Sequence, residues 1–357
     1  MIVIKANLPK VNNTLKKNKN LFSGGKIRIS DIFFEKSILI ATLLSAVMIF
    51  FVFIFIINKS WHIFEVNGIG FITRDVINFG TEDAPVLRDI NKQFFHSFRA
   101  PAGEEIWIFG VLSLIMGTVY TTIGALIITL PIGLGTAVVI SELAPFWIKR
   151  SLQLFVRFLA SIPSIIFGLI GLMVVVPFIL ENIVTSEMQN NYIEHFQITG
   201  KSILAGIIVL AMMILPIITA LSVDALNAVP KKYKEASLSL GLSHWRTIVK
   251  VLIPSAKSGI LAGIILATGT AVGEAIALSM VTGGVSRTPN LSHGFISLLS
   301  PITTLASSII NKSETMSAEA TSATLFACGV ILLVTCTILS ISSKLVYYIV
   351  NRRLGLD

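Results

Sequence analysis

The chain has 357 residues, of which 54% are hydrophobic and only 13% charged, and its mean hydropathy is +0.84. Soluble domains carry about 25% charged residues, so water is excluded as the main solvent of this chain. The formal charge of +9 is spread over segments that flank apolar runs and forms no aromatic-interleaved patch, which excludes a nucleic-acid partner and points to membrane topology and a lipid environment.

Residues 1–36 are rich in Lys and Asn and read as a basic cytoplasmic tail, partly disordered, with an orienting role. Within it Gly24, Gly25, Lys26 and Ile27 resemble a phosphate loop, but the upstream Gly is missing and Ile27 stands where a hydroxyl residue is required. ATP is therefore expected to be hydrolysed on another chain, with no cofactor bound by this one. The first apolar run, residues 38–57, is too long for a cleavable signal, and Asn58, Lys59, Ser60 and Trp61 offer no small-x-small cleavage site. It is expected to be an uncleaved transmembrane helix over residues 37–57. Residues 58–106 then form a long extracytoplasmic loop carrying Trp61, Phe64 and Phe71, which either docks a partner or packs on its own span tops.

A membrane helix needs about 20 apolar residues, because each rises about 1.5 Å and the hydrocarbon is about 30 Å thick. Five further segments meet this, at residues 107–140, 152–180, 202–223, 259–281 and 325–350. Together they define a core over 107–350, with a loop at 224–258 and a short cytoplasmic C-terminus at 351–357. Pro131, Gly133 and Gly135 predict a tilted second span with a break near its end. Cys328 and Cys336 lie in the last run and read as small membrane-buried side chains, not as a disulfide or metal site. Basic residues concentrate on one side: the tail, Lys149, Arg150 and Arg157, then Lys231, Lys232, Lys234, Arg246, Lys250 and Lys257, then Arg352 and Arg353. That bias puts both termini in the cytoplasm.

The loop between the fourth and fifth spans carries the most information. Pro230 suits the first position of a helix, Gly241 the left-handed residue that ends one, and Ser243 the cap of a second helix beginning near His244. The result is a helix, turn and helix on the cytoplasmic membrane surface. Ala236 and Ser237 are small enough for another protein to approach closely, while Lys231, Lys232 and Lys234 stay solvated or near lipid phosphates. Patterning alone favours a plain amphipathic interfacial helix over a docking surface.

The residues Glu235, Ala236 and Ser237, then Gly241, then Val251, Ile253 and Pro254 resemble the EAA loop of ABC importer permeases, whose pattern is EAA, three residues, G, nine residues and I-x-L-P. Ser237, Val251 and Ile253 are mild departures. The resemblance implies coupling helices that insert into clefts of ATPase subunits and transmit their closure to the spans. Over residues 31–353 the chain is also similar to PstC-type phosphate permeases. The similarity is carried by Phe109-Gly110-Val111-Leu112 leading to Gly117-Thr118, and by Leu130-Pro131-Ile132-Gly133-Leu134-Gly135-Thr136-Ala137. Ser141-Glu142-Leu143-Ala144-Pro145 and Ile162-Pro163-Ser164-Ile165-Ile166-Phe167-Gly168-Leu169 extend it. The implied fold is all-α, with six transmembrane helices: a MetI-like permease core with one extra N-terminal span. The implied partners are a second, PstA-like permease, a PstB-like ATPase dimer that holds ATP and Mg, and a PstS-like phosphate-binding protein outside a bacterial inner membrane.

For the solute path, Glu274 is the only ionisable residue deep within any of the six segments, and an intramembrane charge costs about 2.5 kcal/mol or more at the bilayer centre. It reads as a lining residue, or else as a capped or paired structural carboxyl. Thr270, Thr268 and Ser164 are further candidates, although Ser and Thr in membrane helices commonly bond back to their own helix. PstC-like permeases usually carry Arg where this chain has Thr270, four residues before the Glu and on its helix face. Three routes are then open: hydroxyls pass the phosphate, a partner subunit supplies the positive charge, or the solute is another oxyanion or small solute. An ion-driven secondary transporter is expected to show inverted repeats, and an enzyme a nucleophile, base or metal cluster. The sequence has neither, and His62, His96, His195, His244 and His293 are scattered.

Overall fold

The computed structural model describes residues 29–74, 77–78, 87–88, 109–192, 198–286, 288–289, 291–315 and 319–353. The expectations for residues 1–28, for Trp107, and for His96 and His195 fall outside the described residues. The chain divides into two units, Met1–Phe55 and Ile56–Asp357.

Helix α1 spans Ile29–Asn67, so it starts before the expected first span and continues ten residues beyond its expected end at Ile57. In the first unit its side chains over residues 36–55 are all exposed, Ile38, Leu43, Phe50 and Phe51 among them. A helix that is apolar all round and has no protein cover is suited to hydrocarbon, where every backbone group is satisfied internally. Past Asn67, the chain makes a short helix Gly70–Thr73, and Ile77–Asn78 pairs antiparallel with Leu87–Arg88.

Within the second unit α2 covers Leu112–Val138, α3 Phe146–Ala160, and α4 Ser164–Ile170, which continues through a wide turn to Asn182. Next come α5 (Ile203–Asn227), α6 (Lys231–Ser239), α7 (His244–Ser255), α8 (Lys257–Gly273) and α9 (Ile276–Val281). The last two helices are α10 (Leu305–Asn311) and α11 (Glu319–Arg353). Five helical stretches are long and apolar enough to cross a membrane, and the bent pair α7 and α8, at 67°, makes a sixth if it is counted as one span.

Three further spans differ from the sequence expectation, and one of them, the fifth, expected to run over residues 259–281, breaks at Glu274 between α8 and α9. The third was expected over residues 152–180, but α3 ends at Ala160 and a separate helix starts at Ser164 after Pro163. Lys149, Gln153 and Arg157 recur every fourth residue along α3, so it is amphipathic, and Pro163 keeps the two helices apart because the residue before a proline avoids the helical region. In the second span the helix runs straight through Pro131 to Val138. The irregularity lies beyond it, where Val139–Leu143 widens into a π-turn.

Helix α5 is central: Ile203, Val209, Leu210, Ile214 and Ile218 are almost fully buried. Small residues let its neighbours approach. On α8, Gly259 faces Ala225 and Gly263 faces Leu221, and the same four-residue row continues through buried Ala267 and Ala271. At the end remote from α6, Ile63, Phe71, Phe109, Leu114, Leu305 and Cys328 form a second cluster, with the Phe64 ring edge-on to Phe71 at 5.5 Å. Phe64 and Phe71 thus pack on the span tops of their own chain, while Trp61 is exposed.

A Cβ at Gly168 would lie 2.8 Å from Ala277 Cα and 2.9 Å from Met280 Sδ, which pins α4 against α9. A main-chain atom cannot swing aside. Gly168→Val is therefore expected to lower stability by about 1–3 kcal/mol, read as a lower melting temperature of the detergent-purified protein.

Candidate coupling surface and solute path

Helix α6 is bounded by the turn chemistry its sequence dictates. Pro230, with φ −58° and ψ 130°, stands immediately before the first helical residue, one place earlier than expected. At the other end Gly241 N–H donates to Leu238 O at 2.9 Å and Leu242 N–H to Ser237 O at 3.2 Å, the paired bonds of a Schellman ending. They require Gly241 at φ +80°, a conformation that Gly adopts without steric penalty. Ser243 then accepts from Arg246 N–H and caps α7.

This arrangement sorts the loop into two faces. Glu235, Ala236 and Gly241 are exposed, together with Tyr233, Leu240 and Trp245, and Leu240 is 84% exposed. Ser237 is buried instead: its hydroxyl donates to Thr247 Oγ1 at 3.0 Å, so it joins α6 to α7 and does not meet a partner, as its small size had implied. Pro254 is half-buried within α7. An exposed apolar tip at Leu240 and Trp245, beside a solvated carboxylate, suits insertion into a cleft of another protein. Sequence reasoning missed Leu240, whose signal is an isolated large apolar residue between Ser239 and Gly241.

The inner side of the same region is tied by charged groups, and Lys234, expected to stay solvated or near lipid phosphates, is instead turned inward into an ion pair. Lys234 Nζ lies 2.5 Å from Glu142 Oε2 at the end of α2. Lys149 Nζ donates to Ser141 O at 2.7 Å and to Asn227 Oδ1 at 2.8 Å, and Arg157 pairs with Asp224 at 2.7 Å. Helix α3 is thereby fixed across the ends of α2 and α5. Its opposite side leaves Trp147, Leu154, Phe155 and Phe158 exposed.

The solute-path candidates do not converge. Glu274, 9% exposed, sits in the non-helical joint between α8 and α9, where its Oε1 accepts from Ala277 N–H at 2.9 Å. This bond and the start of α9 together give the carboxylate the partner it needs in apolar surroundings. Thr270, half-exposed, donates to Leu266 O at 3.0 Å on the side of α8 that also shows exposed Leu266 and Gly273. Thr268 is fully buried, bonded to Ile264 O and 3.3 Å from Ser343 Oγ of α11, so it joins two helices on another side. Ser164 is half-buried at the start of α4. Among the described residues no three His, Cys, Asp or Glu side chains are grouped as metal ligands.

Residues 129–355 match the family described as binding-protein-dependent transport system inner membrane component. The chain is 38% identical over 226 residues to a probable ABC transporter permease protein YqgH of Bacillus subtilis, covering 63% of this chain and 68% of that one. It is 32% identical over 317 residues to the phosphate transport system permease protein PstC of Pasteurella multocida, covering 87% and 88%. Among solved structures, a chain of the inward-facing MetNI methionine ABC transporter is similar over 68% of this chain and 94% of its own, at 18% identity and a TM-score of 0.43. With an all-α, multi-pass architecture and a family match over most of its core, this chain belongs to the binding-protein-dependent inner membrane components: it is a permease subunit of an ABC importer, whose ATPase is a separate subunit.

Proposed function

We propose that the chain is the PstC-like subunit of an inorganic-phosphate importer in the bacterial cytoplasmic membrane. It forms the path with a PstA-like permease, receives phosphate from a PstS-like binding protein, and couples through α6 to a PstB-like ATPase dimer that binds ATP and Mg. The observation that carries the solute is the match to a phosphate permease over nearly the whole of both chains. Both termini face the cytoplasm in this reading, because Lys149, Arg150, Lys231, Lys232, Arg246 and Lys250 lie in α3, α6 and α7.

In this arrangement Glu235, Ala236 and Gly241, with Leu240 and Trp245, meet the ATPase, while Ser237 and Pro254 hold the surface in shape. Thr270 and Glu274 line the path at the α8 and α9 joint, and Ser164 lies at the start of α4. Thr268 serves helix packing.

Reconstitution of the four components in proteoliposomes tests the solute. Binding protein loaded with phosphate is expected to stimulate ATP hydrolysis and uptake severalfold, and binding protein incubated with sulfate or molybdate is expected to leave both at the basal level. Stimulation by sulfate or molybdate in place of phosphate reassigns the importer to another oxyanion.

A further inference from the structure

We propose that the Glu142–Lys234 ion pair is the strut that passes movement of α6 into the cytoplasmic end of α2, with Glu142 as a positioning residue for transport. The inference rests on the reading of α6 as the coupling helix.

Helix α6 is joined through the backbone only to α5 and α7, so any drive on α2 has to cross a non-covalent contact. Among the described residues Lys234 makes the one side-chain hydrogen bond from α6 to a span that is not its chain neighbour, reaching Glu142 across 92 residues of sequence. The other lysines of the helix, Lys231 and Lys232, are exposed, whereas Lys234 is turned inward beside Ser237, three residues on and on the same helix face. The Glu142 side chain is only 11% exposed and that of Lys234 34%, against 60% and 50% for the Arg157–Asp224 pair. Solvent screens the exposed pair far more, so the Glu142 pair is the stiffer electrostatic link.

The receiving end is built to respond. Glu142 lies in the π-turn Val139–Leu143, where Ala144 N–H reaches back five residues to Val139 O. A wide turn has a weaker ladder than an α-helix, and Pro131 removes one more bond from α2 higher up. On the turn's other side Lys149 holds Ser141 O and Asn227, so the end of α2 is gripped between α6 and the α3–α5 pair. Displacing α6 pulls on Glu142 while Lys149 resists, and the π-turn between Val139 and Ala144 takes up the difference.

The test uses the complete transporter with a nitroxide on Val139→Cys, a position 48% exposed, in a Cys328→Ala, Cys336→Ala background. Trapping the ATPase with ATP and vanadate is expected to change the label's mobility. In Glu142→Gln that change is expected to vanish and phosphate uptake per ATP to fall at least fivefold, while the ATPase still co-purifies. The charge-swapped pair Glu142→Lys with Lys234→Glu is expected to recover at least half of both signals, which a merely structural defect would not do. A label response in Glu142→Gln equal to that of the parent, no response in the parent itself, or a swap no better than the single variants overturns the strut. Failure of the coupling reading shows separately, as an ATPase that does not depend on the α6 surface for binding.

Discussion

Gly241→Trp is expected to abolish association with the ATPase and solute uptake, while Gly241→Ala keeps most of both. Both replacements force an L-residue into φ +80°, at a cost of about 1–2 kcal/mol, and the Cβ of each has open space, since nothing beyond the adjacent residues lies within 4 Å of it. The backbone penalty is common to the pair. What separates them is the bulk of the indole, carried at an exposed tip beside Leu240, where it is expected to clash with a partner's cleft that closes there. Deleting residues 231–241 removes the tip and is expected to give the same loss, with membrane insertion retained because the spans carry their own apolar surface. Co-purification of the ATPase with the tagged permease, together with uptake into cells, checks all three variants. Normal association of Gly241→Trp would rule out the coupling role of α6.

The parts of this molecule that were legible in the sequence are those set by local rules. A span needs a long apolar run, and a left-handed turn needs Gly, so the number of spans and the turn at Gly241 follow from composition and a few residues. The third span was misjudged because Leu152, Leu154, Phe155, Val156, Phe158 and Leu159 continue the apolar run, and only the four-residue spacing of Lys149, Gln153 and Arg157 reveals a surface helix. The inward turn of Ser237 depends on Thr247, a contact between two helices that the small size of Ser does not disclose. The Glu142–Lys234 pair lies further out of reach, since nothing local to either residue names the other. By contrast the bond from Ala277 N–H to Glu274 spans three residues and is a local motif, hidden only by reading the span as one continuous helix.

That bond makes Glu274 the place where charge and fold can be separated. Among the described residues Ala277 N–H is the hydrogen-bond partner of the carboxylate, on Oε1, and a carboxylate offers about four lone-pair sites, so Oε2 is left to accept from something else. In the proposed path that donor is the protonated oxygen of phosphate, which a fully ionised oxyanion such as sulfate lacks. Glu274→Gln keeps an oxygen for Ala277 N–H and removes the charge. The variant is expected to reach the membrane at the parent level, to lose at least tenfold in phosphate uptake, about 1.4 kcal/mol, and to prefer phosphate over sulfate less strongly. Glu274→Ala leaves the Ala277 N–H without a partner at a further cost of about 1–3 kcal/mol and is expected to lower the amount of folded protein as well. Uptake by Glu274→Gln at the parent level would remove Glu274 from the path and leave its carboxylate as the cap of α9 alone. A tenfold loss with unchanged protein level assigns the charge to transport, because the cap is common to Glu and Gln and the charge is not.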